Sequence, residues 1–271
     1  MSDFLLQLLS YPFIMRAFVV GIPISLCAAL LGVSLVLRRY SMIGDGLSHV
    51  GFGAVAIAAA LNMAPLQVAI PVVILAAFFL LRITENVKIK GDSLIAVIST
   101  GALALGVMVI SLTKGMNTDL NNYLFGSILA MSDSDVVISL VLSAVVLALF
   151  GVFYNAVFSV TFDESFAKAT GIKTQIFNIF TAIFTALTVV IGMRMMGAML
   201  ISALIIFPPL SAMRIFKTFR SVTICSAILA VFCFSLGLLI SCIYAVPTGA
   251  CIVVVNLCML ILFSIVSVVK K

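Results

Sequence analysis

Charged residues are scarce in this chain: Asp, Glu, Lys and Arg make up 9% of its 271 residues, whereas a typical soluble domain has about 25%. Hydrophobic residues reach 64%, and the mean hydropathy is +1.38. Several stretches of about 18 or more residues carry almost no charge, which is enough to cross the ~30 Å hydrocarbon core of a bilayer. So little charge excludes an ordinary soluble domain and predicts a multi-pass membrane protein in contact with lipid.

The sequence also lacks the motifs of several enzyme classes. It has no GxxxxGK(S/T) loop for binding ATP phosphates and no HExxH motif of a zinc protease. Its six cysteines include no CxxC pair, so their spacing gives no disulfide framework. We therefore expect no enzymatic activity and no permanently bound cofactor, and we expect any ATP hydrolysis on a separate polypeptide.

The net charge of +6 is distributed as expected for a membrane protein. Basic residues gather in short segments between apolar stretches, at Arg38-Arg39, 82–90, 168–173, 214–220 and Lys270-Lys271. Short loops rich in Lys and Arg lie on the cytoplasmic side of the membrane. This pattern gives the sidedness of the loops and no reason to expect a nucleic-acid partner.

Apolar stretches divide the whole chain into membrane spans. They lie at 13–37, 44–61, 65–81, 94–113, 135–159, 174–192, 197–213, 222–244 and 248–268. Because 44–61 and 197–213 are short, we predict an all-α protein with eight or nine transmembrane helices, in a single domain over 1–271. Pro208-Pro209 predicts a kink or break in the 197–213 span. The side on which the N-terminus lies stays open, and 119–131 predicts an interfacial or re-entrant segment.

Residues 161–171, TFDESFAKATG, predict a short amphipathic helix on the cytoplasmic side. Thr161 and Glu164 have the spacing of a capping box, and Gly171 is a natural helix terminator. One face carries Phe162, Phe166 and Ala169 or Thr170, and the other carries Asp163, Glu164 and Lys168. Such a helix either lies flat on the lipid surface or docks into a partner protein.

The only histidine of the chain, His49, follows Asp45 by four residues in the stretch GDGLSHVGFG. On a helix these two side chains point the same way and can bind one ion or each other. If Arg39 marks the membrane surface, a rise of ~1.5 Å per residue puts Asp45 about 9 Å and His49 about 15 Å deep. An aspartate at the bilayer centre costs ~2.5–3.5 kcal/mol to insert, so its presence needs a compensating ion, proton or partner.

Two interpretations of this pair remain open. In one, Asp45 simply anchors a neutral His49 as part of the structure. In the other, the pair is half of a metal site, because two ligands are too few for a transition metal and a symmetric second copy would supply two more. The glycines around the pair make a thin helix that another backbone can approach closely.

Five blocks of the sequence, in order over residues 36 to 216, resemble the zinc and manganese permeases of ABC importers. The blocks are RRYSMIGDGLSHVGFGAVAIA, GDSLIAVISTGALALGVMVISL, NNYLFGSILAMSDSDV, SVTFDESFAKATGIKT and VIGMRMMGAMLISALIIFPPLSAMRI. The first is similar to the family's LRRMALIGDALSHAVLPGVALA type of stretch. The chain departs from it at Gly46 and in its GFG, and it retains both the Asp and the His.

The resemblance implies a homodimer in the bacterial plasma membrane with two cytoplasmic ATP-binding subunits and an extracytoplasmic metal-binding protein. It implies that Asp45 and His49 are the intramembrane metal ligands. It also implies that about 161–171 is the helix coupled to the ATPase, through Phe162, Asp163, Glu164, Phe166, Ala167 and Gly171.

We therefore expect the transmembrane subunit of an ATP-driven importer that passes a divalent metal ion by alternating access. Imidazole and carboxylate ligands suit Zn²⁺, Mn²⁺ or Fe²⁺, and the intrinsic order of affinities places zinc above manganese. We favour zinc as the transported ion, with manganese next. The alternative is a proton-coupled secondary carrier in which Asp45 and His49 relay protons or bind the substrate.

Overall fold

The computed structural model describes residues 11–86, 91–113 and 133–269, and every regular element within them is a helix. The helices are α1 Pro12–Leu37, α2 Ile43–Ala60, α3 Pro65–Asn86, α4 Gly91–Thr113, α5 Asp133–Val152, α6 Tyr154–Phe162, α7 Glu164–Ala169, α8 Thr174–Met196, α9 Ala198–Ile215, α10 Phe219–Tyr244 and α11 Thr248–Val269. In the described part, 8 of them are long and apolar enough to cross a membrane, and α3 adds the shorter apolar stretch Pro65–Leu80. The predicted all-α fold with eight or nine spans is confirmed, while the segment 119–131 lies outside the described residues.

Ion pairs at both ends of the bundle give the direction of the first helix. Arg16, near the start of α1, pairs with Asp133 at the start of α5 at 2.9 Å. Arg38, directly after α1, pairs with Glu164 of α7 at 3.0 Å. The start of α1 therefore lies at the end of the bundle opposite α7. Helix α1 therefore ends, and α2 begins, at the end of the bundle where α7 lies.

Neighbouring helices pack closely against the glycines of α2, the helix that carries Asp45 and His49. Helix α2 packs against α3, α4, α8 and α9. A Cβ atom on Gly46 would lie 2.6 Å from Cγ2 of Ile95, and one on Gly53 would lie 2.7 Å from the carbonyl oxygen of Ala102, both on α4. The absence of side chains at these positions is what lets α4 approach the backbone of α2, as expected of a thin helix.

Of the kink or break predicted at the two prolines of α9, the break is wrong, because one helix runs through Pro208 and Pro209. Pro209 has no N–H, so the carbonyl group of Ile205 loses its helical hydrogen bond. That oxygen lies against Gly32 of α1, where an added Cβ atom would collide with it. Close packing of a glycine on the released carbonyl accommodates the prolines within an intact helix.

Candidate functional site

Asp45 and His49 lie next to each other in the first two turns of α2. The Nε2 atom of His49 is 3.5 Å from Oδ2 of Asp45, which is longer than an ordinary hydrogen bond. The Nδ1 atom of His49 is buried and has no hydrogen-bond partner among the described residues. A buried nitrogen left without a partner costs about 1–3 kcal/mol. The pair therefore holds bonding capacity that nothing else in the described part of the chain uses.

The expectation of a continuous helical rise from Arg39 to the pair is wrong, because the chain turns between Arg39 and α2. Arg39 adopts a left-handed backbone conformation with φ of 63°, and α2 begins only at Ile43. Counted from Ile43 at ~1.5 Å per residue, Asp45 lies about 3 Å and His49 about 9 Å into the helix. The pair thus occupies the N-terminal half of α2. There the positive end of the helix dipole stabilises the Asp45 carboxylate and offsets part of the insertion cost.

Ser48 supports the backbone between the two side chains. Its Oγ atom donates a hydrogen bond to the carbonyl oxygen of Asp45 at 2.8 Å and lies 3.4 Å from Oγ of Ser202. Ser202 in turn donates to the carbonyl oxygen of Ala198 within α9 at 2.9 Å. The sequence gives no local signal for this contact, since Ser202 on α9 lies 154 positions away from Ser48.

The chain presents an incomplete set of metal ligands. Across residues 11–86, 91–113 and 133–269, no group of three or more His, Cys, Asp or Glu side chains could hold a metal ion. A transition metal in a protein commonly takes about four ligands or more. Asp45 and His49 can therefore bind such an ion strongly only with ligands from elsewhere.

The second predicted site, the cytoplasmic helix, is shorter than expected. Helix α7 covers Glu164–Ala169, while Phe162 ends the preceding helix α6. The predicted capping role of Thr161 is wrong, because its Oγ1 atom donates to the carbonyl oxygen of Val157 at 2.6 Å. The N-cap is Asp163, whose Oδ1 atom accepts a hydrogen bond from the Phe166 N–H at 2.9 Å.

The span predicted over 135–159 is likewise divided, since α5 ends at Val152 and α6 begins at Tyr154. Asp163 separates α6 from α7 because its backbone is extended, with φ of −148°. Gly171 follows α7 with a positive φ of 87°, as expected of a terminator.

The residues predicted to couple to the ATPase divide into two groups. The ring of Phe166 is directed away from the rest of the chain and 62% of this residue is exposed, whereas Ala167 is completely buried. Phe162 is also exposed and contacts Phe158, with ring centroids 5.0 Å apart. Glu164 is turned inward onto α1 and α8. Helix α7 therefore has an outer apolar surface and an inner polar contact.

Glu164 stays ionised at neutral pH. Burial raises its pKa, but the hydrogen bond and charge of Lys168, the hydrogen bond of Asn178 and the charge of Arg38 lower it further, so the pKa lies below the usual value. The carboxylate is therefore held by cations and donors of the same chain.

Comparison with known proteins gives matches along nearly the whole chain. The model of the ABC 3 transport family matches residues 10–267. The manganese import system permease protein ScaB of Streptococcus gordonii is 31% identical over 94% of this chain and 91% of its own length. The high-affinity zinc uptake system membrane protein ZnuB of Haemophilus influenzae is 29% identical over 88% of this chain and 91% of its own. The solved structure of PsaBC from Streptococcus pneumoniae in complex with Fab superposes with a TM-score of 0.84 at 30% identity, covering 97% of this chain and 94% of the other.

These matches agree with the fold and with the apolar helices of a multi-pass protein of the cell membrane. In an ABC importer the ATPase activity lies in a separate subunit, so the permease itself is not an enzyme. The family match covers far more than half of the sequence and includes both Asp45 and α7. The chain belongs to the ABC 3 transport family and is a transmembrane permease of the metal-ion ABC importers.

Proposed function

We propose that this permease imports a divalent transition metal ion, with zinc favoured and manganese next, through a site formed by Asp45 and His49 of two copies of the chain. One observation carries this proposal: Nε2 of His49 and Oδ2 of Asp45 lie 3.5 Å apart on one face of α2, too far for an ordinary hydrogen bond and close enough to bind one ion together. A metal ion would use the lone pair of the imidazole and the charge of the carboxylate together.

A second copy of the chain completes the coordination in the simplest way. Most homo-oligomers are two-fold symmetric, so an ion on the axis would meet two carboxylates and two imidazoles. Four such ligands form a normal site for Zn²⁺. The lack of a third ligand in the described part of a single chain supports this shared site.

The choice between metals follows the ligand set and the relatives. One relative is named for zinc uptake and another for manganese import. Imidazole and carboxylate ligands bind both ions, and the intrinsic order of affinities places zinc above manganese. We favour zinc on this chemical ground.

The energy would come from two cytoplasmic ATP-binding subunits, each docked on the α7 of one copy. The exposed Phe166 offers them an apolar anchor. An extracytoplasmic metal-binding protein would deliver the ion. Closure of the ATPases would then move α7 and change the side to which the Asp45–His49 site opens. Membership in an ABC importer family favours this mechanism over the proton-coupled carrier.

Uptake of radioactive zinc and manganese tests the proposal in cells that express this chain with its ATPase and binding protein. We expect His49→Ala and Asp45→Ala to abolish uptake at unchanged membrane abundance, because each removes a ligand. Asp133→Ala is the matched control, since that carboxylate is 84% exposed. Wild-type uptake of either metal by His49→Ala would show that the pair is structural and would overturn the proposal.

A further inference from the structure

The Glu164 carboxylate lies where three helices meet. Its Oε2 atom accepts a hydrogen bond from Nη2 of Arg38 at 3.0 Å, and its Oε1 atom accepts one from Nζ of Lys168 at 2.8 Å. The hydroxyl group of Thr174, at the start of α8, donates to Oε1 at 3.2 Å. The other arm of the Arg38 guanidinium donates to Oδ1 of Asn178 on α8 at 2.8 Å. One carboxylate and one guanidinium thus join α1, α7 and α8.

The pair between Arg38 and Glu164 is protected from water. The side chain of Arg38 is only 12% exposed and that of Glu164 is 26% exposed, whereas the pair of Arg16 with Asp133 is 47% and 84% exposed. Partly buried charges are screened less than charges at the surface. Removing Arg38 would leave Glu164 with Lys168 as its cation, which is itself 62% exposed. The contact from α7 to α1 is therefore stiffer than an ordinary surface ion pair.

A short, hydrogen-bonded turn continues from Arg38 to the helix of the metal pair. The N–H of Tyr40 donates to the carbonyl oxygen of Leu35 at 2.8 Å, and the carbonyl oxygen of Tyr40 accepts from the N–H of Ile43 at 3.1 Å. The guanidinium of Arg38 lies 5.9 Å from the centre of the Tyr40 ring. Arg38 is thus connected to Ile43, the first residue of α2 and two positions before Asp45, through the Tyr40 ring and this hydrogen-bonded turn.

We propose that Arg38 is a positioning residue that transmits movement of α7, through Glu164, to the start of α2 and so to the Asp45–His49 pair. This inference rests on the proposed function and adds the route by which ATP binding reaches the site. It also changes the role of Glu164, which the family resemblance assigned to contact with the ATPase. Glu164 instead contacts Arg38 in the turn before α2, the helix that carries Asp45 and His49. Phe166 is then the residue of α7 that faces the ATPase.

His49 offers a direct readout of this movement, because it is the only histidine of the chain. Diethylpyrocarbonate modifies accessible imidazoles, and mass spectrometry of the peptide around residue 49 measures the rate. We would compare this rate with and without ATP in the purified permease–ATPase complex, without added metal. The variants are Arg38→Ala, the charge exchange Arg38→Glu with Glu164→Arg, and Arg16→Ala as the matched exposed arginine.

We expect the ATP-dependent change in the modification rate to be lost in Arg38→Ala, because the contact between Glu164 and the turn before α2 is removed, while the ATPase stays bound. The charge exchange should restore part of the response, and Arg16→Ala should keep it. A full response in Arg38→Ala would overturn the inference, as would loss of the ATPase from the complex, which would make the pair a docking anchor. An ATP-independent modification rate of His49 in the wild type would also overturn the inference. The uptake experiment would then test the proposed function separately.

Discussion

The molecule contains two pairs of an acidic and a basic side chain, Glu164 with Arg38 and Asp45 with His49. They differ in how fully their polar atoms are hydrogen-bonded. Glu164 is bound by Arg38, Lys168 and Thr174, so both of its oxygens are occupied. Asp45 and His49 are 3.5 Å apart, and Nδ1 of the imidazole has no partner among the described residues. The first pair uses its bonding capacity to hold helices together. The second keeps its capacity for something absent from the single chain.

The difference separates structural from functional charge in an apolar protein. A polar group inside a membrane protein is costly unless it is bonded. A satisfied pair offsets this cost within the fold, and its loss destabilises the fold. If the Asp45–His49 pair binds a metal ion, as we propose, its loss should affect binding and spare the fold.

The largest expected effect is on binding of the ATPase at the outer surface of α7. Phe166 is exposed there, whereas the nearby Glu164 is paired with Arg38. Phe166→Asp should abolish copurification of the ATPase, because a charge cannot fill the apolar pocket that an aromatic anchor needs. Tyr244→Asp is the matched control, as an aromatic residue at the end of α10 that is also largely exposed. Full copurification with Phe166→Asp would show that α7 lies on lipid instead.

Neutralising each carboxylate tests the comparison directly. Glu164→Gln should lower the free energy of unfolding by about 1.5–3 kcal/mol, the contribution of hydrogen bonds to a charged group. Asp45→Asn should change it little, because Asp45 makes no short side-chain bond in the described residues. Thermal unfolding of both variants in detergent measures the two effects. Equal losses of stability would remove the distinction between the pairs.

A smaller effect is expected where α2 is packed on its glycine side. Gly53→Ala should destabilise by about 1–3 kcal/mol through overpacking, reduced by the better helix propensity of alanine. The overpacking arises because the new Cβ atom would lie 2.7 Å from the carbonyl oxygen of Ala102. Gly101→Ala on α4 is the control, since its Cβ atom would meet nothing within 4 Å. Similar unfolding temperatures for the two variants would mean that α4 shifts freely against α2.

Much of this architecture is predictable from the sequence. The uncharged stretches predict the helices, because crossing lipid demands length and apolarity and little else. The four-residue spacing of Asp45 and His49 predicts their contact on one helical face. Both predictions depend on local sequence alone.

Other features depend on where the backbone leaves a helix. The turn at Arg39 places Asp45 and His49 in the N-terminal half of α2, and no residue pattern there predicts a left-handed backbone conformation. Thr161 and Asp163 are both good N-cap residues, so spacing alone could not choose between them. The partner of Glu164 is Arg38, 126 positions earlier, and such a contact exists only once the bundle has formed.

The most direct test of the shared site is the amount of zinc bound per permease chain. Purified permease would be equilibrated with zinc in the absence of ATP, and bound metal and protein would be measured together, with His49→Ala in parallel. A symmetric site predicts about one zinc ion for two chains, lost in His49→Ala. One ion bound by each chain, or binding unaffected by His49→Ala, would contradict a site built from Asp45 and His49 of two copies.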